Sequence, residues 1–153
     1  PHLANMARDP KGSDTDQLLA IGEGQGEVAI ANSYYIGKLL TSDDPARQKA
    51  RNAIGVVFPD LDGRGTHVNI SGGGVAKHAK HEAEAIKLLE FLVSDEAQRL
   101  FAEGNMEFPV KAGIPAAQVL QGFGAFTPDT LDLAKLGSNN AAAVKVLEAS
   151  GWK

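Results

Sequence analysis

The chain has 153 residues, 43% of them apolar and 22% charged, with a net charge of −4 at neutral pH. This is the make-up of a globular domain of ordinary size, and no apolar run approaches the roughly 18 residues of a membrane span. The acidic balance argues against nucleic acid or an anionic membrane as partner, and the absence of cysteine removes disulfides, thiolate metal sites and cysteine catalysis.

The chain opens Pro1-His2-Leu3, with neither an initiator Met nor an apolar signal segment, and so reads as a processed or truncated product. Gly12-Ser13-Asp14-Thr15-Asp16 is a turn with N-cap candidates, leading into a short helix around Gln17 to Ile21 that Gly22 and Gly24 end. Glu27 to Ala31 reads as a buried parallel strand. Asn32 and Ser33 are N-cap residues for a helix from Tyr34 to Leu40, and Pro45 sits at a favourable first position of the next helix. Gly55-Val56-Val57-Phe58 is a second strand stopped by Pro59, and Asp60 to Gly65 is a turn. His67 to Ser71 alternates polar and apolar residues as a half-buried strand does. The clearest helix runs from about Glu82 to Val93, with Ile86, Leu89 and Val93 on one stripe that Leu88 and Leu92 widen. Ser94-Asp95-Glu96 caps a helix carrying Leu100 and Phe101. Asn105 to Pro128 is mostly loop, with a short helix near Ala116 to Leu120. A last helix covers about Asn140 to Ala149, with Val144 and Leu147 on its buried side. Strands alternating with helices predict an α/β architecture.

The chain has only two tyrosines, and they are neighbours, Tyr34 and Tyr35. The pattern places both phenols on the first turn of a helix, at the carboxyl edge of a sheet, where open α/β folds bind ligands. A free phenol, with a pKa of about 10, is a poor ligand at neutral pH. A strongly acidic metal ion displaces that proton, and hard trivalent iron suits hard anionic oxygen donors. The competing reading is packing: successive helix residues point about 100° apart, which puts one ring in the core and the other on the surface.

Other features read more plainly. Gly72-Gly73-Gly74-Val75-Ala76-Lys77 lacks the Gly-Lys-Ser/Thr ending of a phosphate loop and is a flexible strand exit. His78 and His81, in a charged stretch before a helix, are solvated. Asp60 and Asp62 hint at a calcium loop whose remaining ligand positions are unfilled. His67 is a satisfied structural histidine. No nucleophile has a base and an oxyanion donor beside it.

Asn32-Ser33-Tyr34-Tyr35, then Val57-Phe58-Pro59, then Arg64-Gly65-Thr66-His67-Val68-Asn69-Ile70-Ser71-Gly72 closely resemble the ferric-ion-binding proteins of bacterial iron ABC transporters. So do Leu89 to Ser94 with Glu96-Ala97-Gln98, and Asn139-Asn140 through Gly151-Trp152-Lys153. The resemblance keeps its order over nearly the whole chain but covers only the second half of such proteins. It implies a type II periplasmic-binding-protein fold, two α/β lobes hinged around a cleft, of which this chain holds about half. It implies that Tyr34 and Tyr35 bind ferric iron as phenolates. It implies that Asn32 contacts a small synergistic anion in members that use one, in keeping with the affinity of helix N-termini for anions. Further iron ligands would come from the half this chain does not resemble. By the same resemblance residues 1–63 belong to the tyrosine-bearing lobe, 64–115 to the other lobe after the hinge crossing, and 116–153 return. The expected partner is an inner-membrane ABC permease, and the expected location the periplasm or the cell surface. A binding protein of the same fold for an anion, a polyamine or a sugar is the alternative. An enzyme using a tyrosine nucleophile is disfavoured, because only Lys38 lies nearby as a base. A half-protein exposes apolar faces, so the isolated chain is expected to self-associate.

Overall fold

The structure is a computed structural model and describes residues 8–9 and 11–152; Pro1-His2-Leu3 and Lys153 lie outside them. Seven helices occur among the described residues: α1 (Asp14–Gly22), α2 (Ser33–Leu40), α3 (Pro45–Arg51), α4 (Glu82–Leu92), α5 (Asp95–Asn105), α6 (Gln118–Gln121) and α7 (Ala134–Ser150).

The first three start where local chemistry tells them to. Asp16, at the third position of α1, accepts a hydrogen bond from the Ser13 backbone N–H at 2.7 Å, closing a capping box. Asn32 is the N-cap residue of α2. The Asp44 carboxylate caps α3 by accepting from the Arg47 N–H at 2.9 Å, with Pro45 in the first turn. These helices meet in one small core. Leu18 of α1, Leu39 of α2 and Ala50 of α3 are buried against one another, flanked by Leu19, Ala31, Tyr35, Ile36 and Ile54. Each buried leucine contributes about 1.5–3 kcal/mol, so two of them hold this unit together.

A second joint ties the middle of the chain to its later part. Phe58, Phe108 and Phe126 stack around one another, with ring centroids 4.5 Å apart for Phe58–Phe126 and 5.2 Å for Phe108–Phe126. Next to them Thr66 pairs with Pro128 in an isolated parallel bridge. The Thr66 N–H donates to the Thr127 carbonyl and the Asp129 N–H donates to the Thr66 carbonyl, both at 2.8 Å. Gly65 makes this approach possible: its φ is +104°, and a Cβ there would lie 2.6 Å from the Thr127 carbonyl oxygen.

Helices α4 and α5 pack on each other. Ser94 caps α5, its hydroxyl accepting from the Ala97 N–H. The buried Gln98 holds the chain that returns from α5: its amide donates to the Leu92 carbonyl at 2.8 Å and accepts from the Val110 N–H at 2.9 Å.

Two sequence expectations need correction here, on the strands and on the last helix. No strand forms at Glu27–Ala31, Gly55–Phe58 or His67–Ser71, and the Thr66–Pro128 bridge is the only β pairing among the described residues. A strand exists only when a neighbour takes up its N–H and C=O groups, and these segments have no such neighbour. Val28 is 87% exposed, Ile30 80% and Val57 87%. The stripe of α4 is uncovered, as expected of a half-protein that exposes apolar faces: Ile86, Leu88 and Val93 are all exposed. The last helix begins at Ala134, not Asn140, and exposes both Val144 and Leu147. In each case the apolar pattern is present and the surface it would cover is not among the described residues.

Candidate metal site

The tyrosines stand where the N-cap pattern put them, as the second and third residues of α2. Their rings lie against each other, with centroids 4.4 Å apart and planes tilted by 39°. Both are half-buried. Tyr35 also packs against the Leu18–Leu39–Ala50 core, whereas the Tyr34 ring has the Lys38 ammonium 5.5 Å from its centroid. The packing reading is therefore correct for part of Tyr35, but the twist of one helical residue does not separate the two rings.

Two further helices build the surroundings. Asp14, the first residue of α1, uses its carboxylate to accept a hydrogen bond from the backbone N–H of Asn32 at 3.2 Å. On the other side, Gly37 of α2 allows a close approach of the chain leaving α5. A Cβ at Gly37 would lie 2.7 Å from the Met106 Cβ and 3.1 Å from a Leu120 methyl. Met106 itself takes the left-handed conformation that ends α5, with φ at 59°. That turn brings Glu107 into the neighbourhood of the tyrosines. The Tyr34 phenol is pushed up to about 12, first by the neighbouring Tyr35 hydroxyl as a hydrogen-bonding partner of the protonated form, then by burial, then by Tyr35, Asp14 and Glu107 charge. At neutral pH Tyr34 is therefore protonated, and a metal ligated by its oxygen must displace that proton.

Neither Asp14 nor Glu107 was singled out in the sequence. The Ser-Asp-Thr-Asp cap gave Asp14 a purely local role, and Glu107 sits in a stretch that reads as loop. Their proximity to the pair comes from helix packing.

The features read plainly from sequence have plain structures, with one exception. Asp60 directs its carboxylate to the Arg64 N–H of its own turn, at 3.3 Å, which accounts for it without calcium. His78 and His81 are exposed. His67 is exposed as well, which corrects its reading as a structural histidine: the strand that was to hold it is not formed. Among the described residues no three His, Cys, Asp or Glu side chains group as a metal cluster. A shallow apolar cleft of about 240 Å³ between Ile36, Leu39, Ile54, Val56 and Phe123 includes neither tyrosine. Among the described residues no helix is long and apolar enough to cross a membrane.

Known proteins match this chain along its whole length. Residues 7–128 fit the family described as bacterial extracellular solute-binding protein. Iron uptake protein A1 of Synechocystis is 46% identical over 151 residues, which are 99% of this chain and 42% of that protein. The structure of the Trichodesmium protein IdiA (FutA) in complex with iron and citrate ligands superposes with a TM-score of 0.90 at 50% identity, over 97% of this chain and 47% of that one. The ferric binding protein from Campylobacter jejuni superposes at 0.91 with 37% identity, over 99% of this chain and 48% of that one. The chain thus spans a little under half the length of the relatives it matches, and it follows their backbone course even where its would-be strands lack partners. The fold is that of type II periplasmic binding proteins, about half of it, and the chain belongs to the bacterial extracellular solute-binding protein family.

Proposed function

We propose that this chain serves a ferric-iron-binding protein of a bacterial iron ABC transporter, and that Tyr34 and Tyr35 ligate the iron as phenolates. The observation that carries the reading is the pair itself: two half-buried phenols in contact, on the first turn of one helix. Phenolates are hard oxygen donors suited to a trivalent ion. The helix N-terminus beneath them favours negative charge, which steadies the deprotonated state once iron has taken the protons' place. Relatives at 46% and 50% identity carry iron in their names or descriptions, which supports the same cargo here. Binding, rather than catalysis, is the activity, in keeping with a family of solute-binding proteins.

Two phenolates do not fill an octahedral ferric site, so further ligands are drawn from outside this chain's length. Asn32 contributes at the anion position, through the N-cap backbone of α2. Residues 1–63 and 116–153 form the tyrosine-bearing lobe in this reading, and 64–115 belong to the facing one. The packing of α6 on α2 at Gly37 supports the return of the chain to the first lobe. The iron-loaded protein delivers its cargo in the periplasm, or from the cell surface, to an inner-membrane permease.

The test replaces Tyr34 and Tyr35 together with Phe, which removes the oxygens and keeps the rings. Iron bound to phenolate absorbs visible light, and the double variant is expected to lose both the band and tight ferric binding. Retention of both would overturn the assignment and favour a non-metal solute such as an anion, a polyamine or a sugar.

A further inference from the structure

We propose that the two unpaired extended segments, residues 28–31 and 55–58, form a strand-accepting docking surface. Its occupant is the other half of the solute-binding fold, which docks there even when supplied as a separate polypeptide. The inference goes beyond the iron reading and stands whatever the solute is.

Both segments have the side-chain alternation of strands and lack only the partner. In the first, Ala29 and Ala31 are half-buried while Val28 and Ile30 are exposed. In the second, Val56 and Phe58 are half-buried while Gly55 and Val57 are exposed. That is the period of two of an extended chain with one face covered. The covered face rests on contacts within the chain: Ala31 packs on the Leu18–Leu39–Ala50 core, Val56 lines the cleft with Ile36 and Leu39, and Phe58 stacks on Phe126. The outer face and the backbone are open. Among the described residues no backbone N–H or C=O group of 28–31 or 55–58 bonds to another backbone group.

A sheet edge meant for water is blunted by charge, proline or a bulge. Neither segment contains a charged residue or a proline. Uninterrupted apolar runs of this kind belong to parallel strands covered on both faces. The occupant must therefore bring strands to take up the free backbone groups and an apolar layer for Val28, Ile30 and Val57. The relatives whose backbone course this chain follows are about twice as long, and the share without a counterpart here is the part of that fold left to bring both. A second copy brings only the same two segments, each already backed by its own helices. The segments hold their extended course with no partner present, so docking requires little ordering of this chain. Ala31 runs straight into the N-cap of α2, so a polypeptide seated on the first segment comes up beside the tyrosine pair.

The test uses the 153-residue chain with iron absent throughout, so its outcome is independent of the metal reading. The probe is the portion of Synechocystis iron uptake protein A1 that this chain does not match, co-expressed from a separate gene. The tagged chain is expected to carry the probe through purification as an equimolar complex. Val28→Lys combined with Val57→Lys is expected to lose it. Both valines are exposed, so the double change leaves the Leu18–Leu39 core in place, and the amide spectrum of α1 to α3 reports that it does. Purification of the wild-type chain without the probe, or a complex that survives the double change in a folded variant, would overturn the inference. Hydrogen exchange supplies a second measurement that needs no variant. In the chain alone the amides of 28–31 and 55–58 should exchange nearly as fast as in a free chain, and in the complex roughly a hundredfold more slowly, as paired strand amides do. Amides that stay fast in the complex would place the contact elsewhere. Protection that appears in the chain alone as its concentration rises would give the face to a second copy. Either result overturns the inference.

Discussion

The first three helices and the pair α4–α5 teach opposite lessons about apolar residues. Around the tyrosines, the short helices α1, α2 and α3 come into mutual contact, and Leu18, Leu39 and Ala50 disappear from solvent. Helix α4 also carries an apolar stripe, yet no residue of it is buried. Leu88, Phe91, Val93 and Leu100 lie exposed along α4 and α5. Local amphipathicity is thus satisfied in one region and left open in the other. The difference lies in what is available to pack against, not in the helices. The exposed stripe exceeds the scattered apolar residues normal for a surface.

The contrast is broken most severely at its best-packed points. Leu39→Ala is expected to cost about 2–5 kcal/mol, the usual range for truncating a buried leucine, because Leu39 is 1% exposed at the meeting of three helices. Leu88→Ala, on the exposed face of α4, should change the stability of the same chain by less than about 0.5 kcal/mol. Denaturant titration of both variants, at concentrations low enough to keep the chain monomeric, checks this, and equal losses would mean that α4 is buried within the monomer. Gly37→Ala comes next. The added methyl meets Met106 and Leu120, and overpacking of this kind costs about 1–3 kcal/mol. It should also displace Glu107 and perturb Tyr34, which Leu88→Ala should not.

Exposed apolar area has a consequence in solution. The isolated 153-residue chain is expected to associate, most simply as a symmetric dimer, and Leu88→Lys combined with Leu100→Lys should shift it towards monomer. Light scattering over a concentration series reads this directly. A wild-type chain that stays monomeric at high concentration would show that α4 and α5 refold onto the rest.

The smallest effects concern protons. The Tyr34 phenol holds its proton until about pH 12 in the fold, whereas a free tyrosine loses it near 10.0. The fold therefore gives up stability as pH rises through that window, and the contribution is complete below it. Ultraviolet titration should show a late phenolate that moves earlier in Tyr35→Phe, which removes the leading cause. With iron bound the direction is set by competition: protons and the metal seek the same oxygens, so acid releases iron. A flat retention curve down to strongly acidic pH, with a chelator held constant, would contradict phenolate ligation.

The local signals of the sequence were sufficient for the tyrosine helix. Asp44 before Pro45 sets a helix start through a side-chain cap, and the helix of Ser33-Tyr34-Tyr35 starts after Asn32 where the pattern places it, although the Asn32 side chain makes no capping hydrogen bond. The same holds for α5 after Ser94. The order of motifs also made the family legible, since it spans the chain. What depended on distant partners was not legible. A run such as Glu27–Ala31 specifies a tendency to extend, but a ladder needs another strand, and none stands beside it here. The stripes of α4 and α7 specify a face to be covered without specifying its cover. Asp14 reads in sequence as the start of a helix. Only the packing of α1 on α2 turns it towards the Asn32 N–H, 18 residues on. Only the absence of a Cβ at Gly37 lets the Met106 turn close enough to set Glu107 beside the phenols. Caps, turns and the paired tyrosines follow from interactions within one turn of chain, so the sequence alone determined them. The charge around those tyrosines, and which apolar faces are covered, depend on contacts between residues far apart, and those only the tertiary structure decided.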